Sequence, residues 1–109
     1  MHSENPDKIY EIILSAEKVL DIIGTEDKRL YSAYKYFITE KCFKALMKLY
    51  PMENQKDKVS HIFSLIKKYR ADVIRNKKAL NIVRVNCIMS YLGLKMLYLI
   101  KNARAKAGG

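Results

Sequence analysis

The residue types that most often carry out chemistry in proteins are sparse in this chain and form no recognised motif. Cys42 and Cys87 each lie inside an apolar run, with no CxxC pair and no neighbouring histidine. We expect both to be buried, reduced thiols, which fits a cytosolic setting better than a metal site. His2 and His61 are isolated histidines, so no Ser–His–Asp or Cys–His arrangement is predicted.

Phosphate-binding and metal-binding signatures are not found either. The chain has no GxGxxG or GxxxxGK[ST] loop and no DxD pair of the kind that holds a divalent metal on a nucleotide-sugar. Glu26 and Asp27 are adjacent acids, but the positive end of a helix explains them better. We therefore expect no catalytic residue, no cofactor and no metal ligand in this chain.

The positive charge is concentrated in the C-terminal part of the sequence. The net charge is +10, and residues 1–66 contribute nothing to it, because their ten Lys/Arg balance ten Asp/Glu. Residues 67–109 hold eleven Lys/Arg against the single acid Asp72. Such asymmetry indicates an anionic partner, either acidic lipid headgroups or a phosphate backbone, although a merely solvated basic face is the simpler alternative.

Ten cations of this basic part are predicted to contact an anionic surface. They are Lys67, Lys68, Arg70, Arg75, Lys77, Lys78, Arg84, Lys95, Lys101 and Arg104. Tyr69, Tyr91 and Tyr98 lie among them, and aromatic residues between cations suit base stacking, a membrane interface or a bundle edge. The cations adjoin the most apolar segment of the chain, which favours lipid or protein over nucleic acid.

The apolar pattern predicts an all-α protein, a single domain over residues 1–109 with about four helices. Three charge-balanced helices fill residues 1–66, and a basic segment with a long apolar C-terminal helix fills residues 67–109. The first helix is expected to begin at an Asn5 cap with Pro6 in its first turn and to end at Gly24.

The other boundaries are predicted from turn and cap residues. Thr25 is expected to cap the second helix, Pro51 to stop it, and Asn54 to cap the third. Residues 70–78 (RADVIRNKK) are expected to form a short helical turn or a loop. The last helix is expected to run without a break from about Lys78 to Ala103.

The last helix is predicted to be apolar on more than one side. The uncharged run is too short for a membrane span, because Arg84 precedes it and Lys95 interrupts it. One side suits the bundle, and the second side is predicted to be a docking face. That face consists of Val85, Ile88, Met89, Leu92, Met96 and Leu99. Burial of the whole helix at the centre of the bundle is the alternative.

The second half of the chain also resembles a known family. The segment KKYRADVIRNKKALNIVRVNCIMSYLGLKMLYLIK resembles the C-terminal tail of bacterial family 2 glycosyltransferases of the GT-A type, which build capsule, exopolysaccharide and O-antigen chains. Eleven positions match the pattern of those tails: Tyr69, Arg70, Val73, Ile74, Arg84, Ser90, Tyr91, Leu92, Gly93, Lys95 and Tyr98. The first residues, MHSENPDKIYEIILSAEKVLDII, are similar to the junction that follows the catalytic domain.

The resemblance implies an accessory helical region without catalytic activity of its own. The α/β domain that would bind the nucleotide-sugar and a divalent metal is not in this sequence. The implied partners are that catalytic domain and an anionic membrane surface, and the implied location is the cytoplasmic, inner face of the membrane. The polar N-terminus, which has no secretory signal, agrees with that location.

Two functions of other classes remain open at this point. The chain fits a stand-alone interaction module that forms a homodimer through its C-terminal helix. It also fits, less well, a helical domain that binds nucleic acid.

Overall fold

The computed structural model describes residues 5–24 and 26–108, with side chains as far as Arg104. This part of the chain is helical and contains no strand. The five α-helices are α1 (Pro6–Ile23), α2 (Lys28–Leu49), α3 (Lys56–Arg75), α4 (Asn81–Met89) and α5 (Leu94–Gly108). Two short 3₁₀ turns, Glu53–Gln55 and Ser90–Leu92, precede α3 and α5.

The predicted limits of α1 are confirmed. The Asn5 side chain accepts a hydrogen bond from the Asp7 N–H at 2.9 Å, and Pro6 opens the helix. Gly24 follows the last turn with φ 59°, and its N–H donates to the Leu20 carbonyl at 2.9 Å. A positive φ at this position favours glycine, as expected for a helix C-terminus.

The predicted caps of the next two helices do not hold. Asp27 caps α2, because its carboxylate accepts from the Leu30 N–H at 3.1 Å. Thr25, the predicted cap, lies outside the described residues, as does His2. Asn54 does not cap α3, since it lies inside the 3₁₀ turn Glu53–Gln55, where its backbone is already helical.

Residues 70–75, predicted as a short turn or a loop, continue α3 without interruption. Buried Tyr69 and Val73 extend the apolar stripe that Ile62 and Ile66 begin. Burial of a side chain such as Val73 contributes about 1.5–3 kcal/mol to the stability of the fold, and this burial stabilises the extra turn.

One core cluster joins the helices. It includes Ile13, Leu46, Ile66, Cys87 and Leu97, with one of these residues from each of the five helices. Side-chain pairs also connect α1 with α3: Lys58 contacts Asp7 and His61 contacts Glu17, both at 3.0 Å. The Cα radius of gyration, 13.8 Å, is close to the ~13 Å expected for a compact domain of this length.

The single long C-terminal helix of the prediction is in fact two helices. Helix α4 ends at Met89, the 3₁₀ turn Ser90–Leu92 follows, and α5 begins after Gly93. Gly93 has φ 101° and ψ 163°, a backbone conformation that is almost restricted to glycine. The described part of the chain therefore forms five α-helices, and the chain can change direction between α4 and α5. The second half of α5 is polar, so the last helix is not apolar throughout.

Candidate functional site

Helices α4 and α5 and the turn between them carry exposed apolar side chains, which we call the apolar surface. Its members are Ile82, Val85, Ile88, Leu92, Met96 and Leu99, and their exposed fractions lie between 42 % for Val85 and 59 % for Leu92. Single exposed apolar residues are ordinary on proteins. Six such side chains within eighteen residues of the chain favour an interaction surface over scattered single exposure.

The apolar surface differs from the predicted docking face at two positions. Met89 is half-buried and packs against the core, so it does not belong to the surface. Ile82 is exposed and lies three residues before Val85, although the sequence did not single it out. The other five predicted residues are exposed.

The opposite sides of α4 and α5 attach them to the bundle. On α4, Val83 and Cys87 are buried in the core. On α5, Leu97 is buried and Tyr98 stacks on Tyr50, with ring centres 4.4 Å apart. Each helix thus places one side against the core and presents the other to solvent.

The junction between α4 and α5 is held by Arg70 of α3. The guanidinium donates from Nη1 to both the carbonyl and the hydroxyl of Ser90, each at 3.3 Å. It also lies 3.6 Å from the centre of the Tyr91 ring. Tyr91 is 57 % exposed, whereas the preceding Ser90 is buried. The tighter 3₁₀ turn shifts which residue faces inward.

Arg84 connects α4 to the end of α3. Its Nε donates to the Ile74 carbonyl at 2.9 Å, which satisfies one of the last carbonyls of α3. Arg70 and Arg84, both predicted to contact an anionic surface, are therefore engaged in contacts within the chain.

The remaining predicted cations fall into three groups. Arg75 is paired with Asp72 at 3.0 Å, and Asp72 is also paired with Lys35 at 3.0 Å. Three lysines lie near aromatic rings, with 5.4–5.8 Å from ammonium nitrogen to ring centre: Lys67 at Phe63, Lys68 at Tyr69 and Lys101 at Phe43. The side chains of Lys77, Lys78, Lys95 and Arg104 are exposed.

As far as Arg104, the cations that share α5 with the apolar surface are Lys95, Lys101 and Arg104. Burial lowers the pKa of Lys101, and the neighbouring Arg104 lowers it further. An anionic group at this end of α5 would offset both effects, because it favours the charged form.

The two thiols are not suited to nucleophilic chemistry. Cys42 and Cys87 are free and fully buried. Burial raises the pKa of Cys42 strongly and that of Cys87 to about 11, so both thiols are protonated near neutral pH. Within the described part of the chain, no group of three His, Cys, Asp or Glu side chains is placed to hold a metal ion.

A second feature, which the sequence did not predict, lies between the start of α2 and the end of α3. Here a cleft brings Lys28 and Arg29 together with Lys77 and Lys78. Lys28 and Arg29 belong to residues 1–66, where the positive and negative charges balance. The net charge of that part of the sequence therefore gave no reason to predict a basic site there. Only the packing of α2 on α3 shows that the cations meet.

The eleven residues that carry the glycosyltransferase resemblance lie in or beside the α3–α4–α5 unit. Arg70, Ser90 and Tyr91 form its central contact, and Gly93 makes its turn. These residues hold the α3–α4–α5 unit together. They include no pair of side chains that would carry out sugar transfer.

Comparisons with known proteins give no match: no family model, curated protein or solved structure is similar to this chain. Across residues 5–24 and 26–108, no helix is both long enough and apolar enough to cross a bilayer.

Proposed function

We propose that this chain is an accessory helical region of a family 2 glycosyltransferase. It packs on the catalytic domain and docks that enzyme on the cytoplasmic face of an anionic membrane. The chain transfers no sugar itself. The nucleotide-sugar and the divalent metal belong to the catalytic domain.

The observation that carries the docking part is the apolar surface beside the cations of α5. A helix that lies in the bilayer interface buries one apolar side at the level of the headgroups and keeps its cations near the phosphates. Met96 and Leu99 supply the apolar contacts of α5, and Lys95 and Arg104 supply exposed charge. Since lysine and arginine stems are long, their charged ends reach the headgroups while α5 lies flat.

The resemblance supports the identity of the partner. Its matching residues fold into one local unit, in which Arg70 and Arg84 hold α4 against α3. The glycosyltransferase pattern implies a helical tail with a basic end, and this unit leaves the apolar surface outside.

Vesicle binding tests the docking part. We expect the chain to bind vesicles that contain phosphatidylserine and to bind phosphatidylcholine vesicles weakly, with affinity that falls as salt rises. Lys95→Gln with Arg104→Gln should weaken binding roughly 30-fold, because each cation near an anionic leaflet contributes about 1 kcal/mol. Leu92→Ser with Met96→Ser should also reduce binding at constant charge.

Matched controls lie on α1. Ile22 is 85 % exposed and does not belong to the apolar surface, so Ile22→Ser should leave vesicle binding unchanged. Lys8→Gln with Lys18→Gln removes two charges elsewhere and should have a smaller effect than the α5 pair. Equal binding to both kinds of vesicle would rule out the docking proposal.

The same samples test the homodimer alternative. Sedimentation without lipid should show a monomer. A discrete dimer that the Leu92→Ser and Met96→Ser changes dissociate would assign the apolar surface to a second copy of this chain.

The partner is tested separately. We expect the genomic reading frame upstream of Met1 to encode an α/β domain with a DxD pair. If it encodes an unrelated protein, and if a GT-A domain mixed with this chain does not co-elute with it, the glycosyltransferase assignment is wrong even where vesicles bind.

A further inference from the structure

The basic cleft between α2 and α3 is a cavity of about 730 Å³ at the end of the bundle where α2 begins. Six cations contribute to its walls, together with one carboxylate: Lys28, Arg29, Lys35, Arg75, Lys77, Lys78 and Asp72. The start of α2 forms one wall. The last turn of α3 and the loop before α4 form the other.

Hydrogen bonds between the two walls define the shape of the basic cleft. Asn76 Nδ2 donates to Ser32 Oγ at 3.4 Å, and the Lys35 ammonium donates to Asp72 at 3.0 Å. The loop is also held internally, because the Lys78 N–H donates to Asn76 Oδ1 at 3.0 Å. A preformed site binds its ligand at a lower entropic cost than one that must be ordered on binding.

The basic cleft has more cations than carboxylates to pair with them. Asp72 is already shared between Lys35 and Arg75. No carboxylate of the described residues forms an ion pair with the other four cations, Lys28, Arg29, Lys77 and Lys78. Glu26 and Asp27 precede α2 but do not line the cleft, and Asp27 is bonded to the first turn of the helix.

We propose that the basic cleft binds a diphosphate group. The four cations without carboxylate partners form two adjacent pairs, Lys28–Arg29 on one wall and Lys77–Lys78 on the other. A diphosphate carries two linked anionic groups, one for each pair, whereas a monophosphate carries only one. Ser32 and Asn76 add polar groups between the pairs.

This inference is independent of membrane docking. The basic cleft is built by α2, α3 and the loop after α3, and the apolar surface by α4 and α5. A soluble diphosphate therefore tests the cleft without vesicles, and each proposal can fail while the other stands.

The experiment is a calorimetric titration of the full chain with inorganic pyrophosphate at constant ionic strength. We expect pyrophosphate to bind at least about tenfold more tightly than inorganic phosphate or sulfate, which corresponds to ~1.4 kcal/mol. Lys28→Gln with Arg29→Gln should weaken pyrophosphate binding by about tenfold or more, and Lys77→Gln with Lys78→Gln should do the same, since hydrogen bonds to charged groups are the strong ones.

The control for charge is Lys8→Gln with Lys18→Gln on α1, which lowers the net charge equally but leaves the cleft intact. It should change pyrophosphate affinity less than about twofold. If the control pair weakens binding as much as the cleft pairs, or if sulfate binds as tightly as pyrophosphate, binding follows overall charge and the proposal is wrong.

Two further ligands distinguish the sources of the diphosphate. A nucleoside diphosphate in solution and a diphosphate-headed lipid in neutral vesicles should each displace pyrophosphate, and the one that does so at the lower concentration is the better source. If neither displaces it while an oligonucleotide does, the cleft binds a phosphate backbone and the diphosphate proposal is overturned.

Discussion

The Arg70 guanidinium lies 3.6 Å from the centre of the Tyr91 ring and donates to Ser90 as well. One side chain of α3 thus contacts two consecutive residues of the turn that joins α4 to α5. The planar guanidinium can stack on the ring and donate from its edge at the same time, which an ammonium group cannot do. We therefore expect the direction in which α5 leaves α4 to depend on Arg70.

Arg70→Lys should destabilise the protein although it preserves the charge. The variant loses the stacking on Tyr91 and at least one of the two hydrogen bonds to Ser90, so we expect the free energy of unfolding to fall by about 1–2 kcal/mol. Urea denaturation of wild type and variant measures this difference in the free energy of unfolding. Arg29→Lys, at an exposed position without such contacts, is the control, and an equal effect of the two changes would contradict the role of Arg70.

Gly93→Ala should also destabilise the protein, by about 1–3 kcal/mol, because φ 101° is strained for any residue with a Cβ atom. A Cβ at this position meets no atom within 4 Å, so the cost comes from the backbone and not from a clash. If the strain instead straightens α4 and α5 into one helix, vesicle binding changes too. Gly24→Ala, at the other positive φ of the described chain, should alter stability but leave vesicle binding unchanged.

Asp72→Asn should lower stability in a pH-dependent manner. The hydrogen bond from Lys35 is the main reason that the pKa of Asp72 lies below its usual value, and Arg75 contributes as well. A depressed carboxyl pKa stabilises the fold above the unfolded-state pKa of about 4 and loses this effect as the pH falls through the folded-state pKa.

Because the Asp72 side chain is 40 % exposed and therefore screened by solvent, we expect a loss of only about 1 kcal/mol at pH 7. The gap between wild type and variant should persist at pH 5 and close under more acidic conditions, measured by denaturation at each pH. The same change removes the one carboxylate that lines the basic cleft, so pyrophosphate affinity should rise or stay the same. Weaker pyrophosphate binding would count against the diphosphate site.

Lys101→Met should raise stability by about 0.5 kcal/mol, a small effect because the ammonium keeps part of its solvation. Burial, with help from Arg104, holds the pKa of Lys101 below its ordinary value. A lysine with a depressed folded-state pKa destabilises the fold at neutral pH, and stability rises as the pH climbs past that pKa. Thermal melts at pH 7 and pH 10 should therefore show a larger difference between wild type and variant at pH 7. Lys95→Met, on the exposed side of α5, serves as the control.

The sequence is sufficient to predict the all-α class and the limits of α1, because Asn5, Pro6 and Gly24 act through local backbone chemistry. It is not sufficient where tertiary burial competes with local signals. Residues 70–75 resemble a loop in composition, yet Val73 fits into the core and extends α3. Gly93 lies inside an apolar run that predicts a continuous helix, and only the structure shows that its backbone turns there, with φ 101°.

The candidate surfaces likewise include one part that local sequence predicts and other parts that depend on tertiary contacts. The apolar side of α4 and α5 follows from residue spacing, and five of its six members were named from the sequence. The internal roles of Arg70 and Arg84 depend on partners at a distance in the chain, Ser90 and Ile74, so charge alone assigned them to the surface. The basic cleft depends on contacts between residues far apart in the chain, such as Ser32 and Asn76 at a separation of 44 positions, which no local pattern can reveal.

Leu97 is the one fully buried side chain that α5 contributes as far as Arg104. Separating α5 from the rest of the fold therefore exposes little apolar area. The free energy of this local opening is a fraction of the free energy of complete unfolding. Backbone amides of α5 should exchange with deuterium faster than those of α2, which mass spectrometry of peptic fragments would detect. We therefore expect the C-terminal helix to separate from the fold more readily than α2, as an arm that reaches beyond the compact body of the bundle.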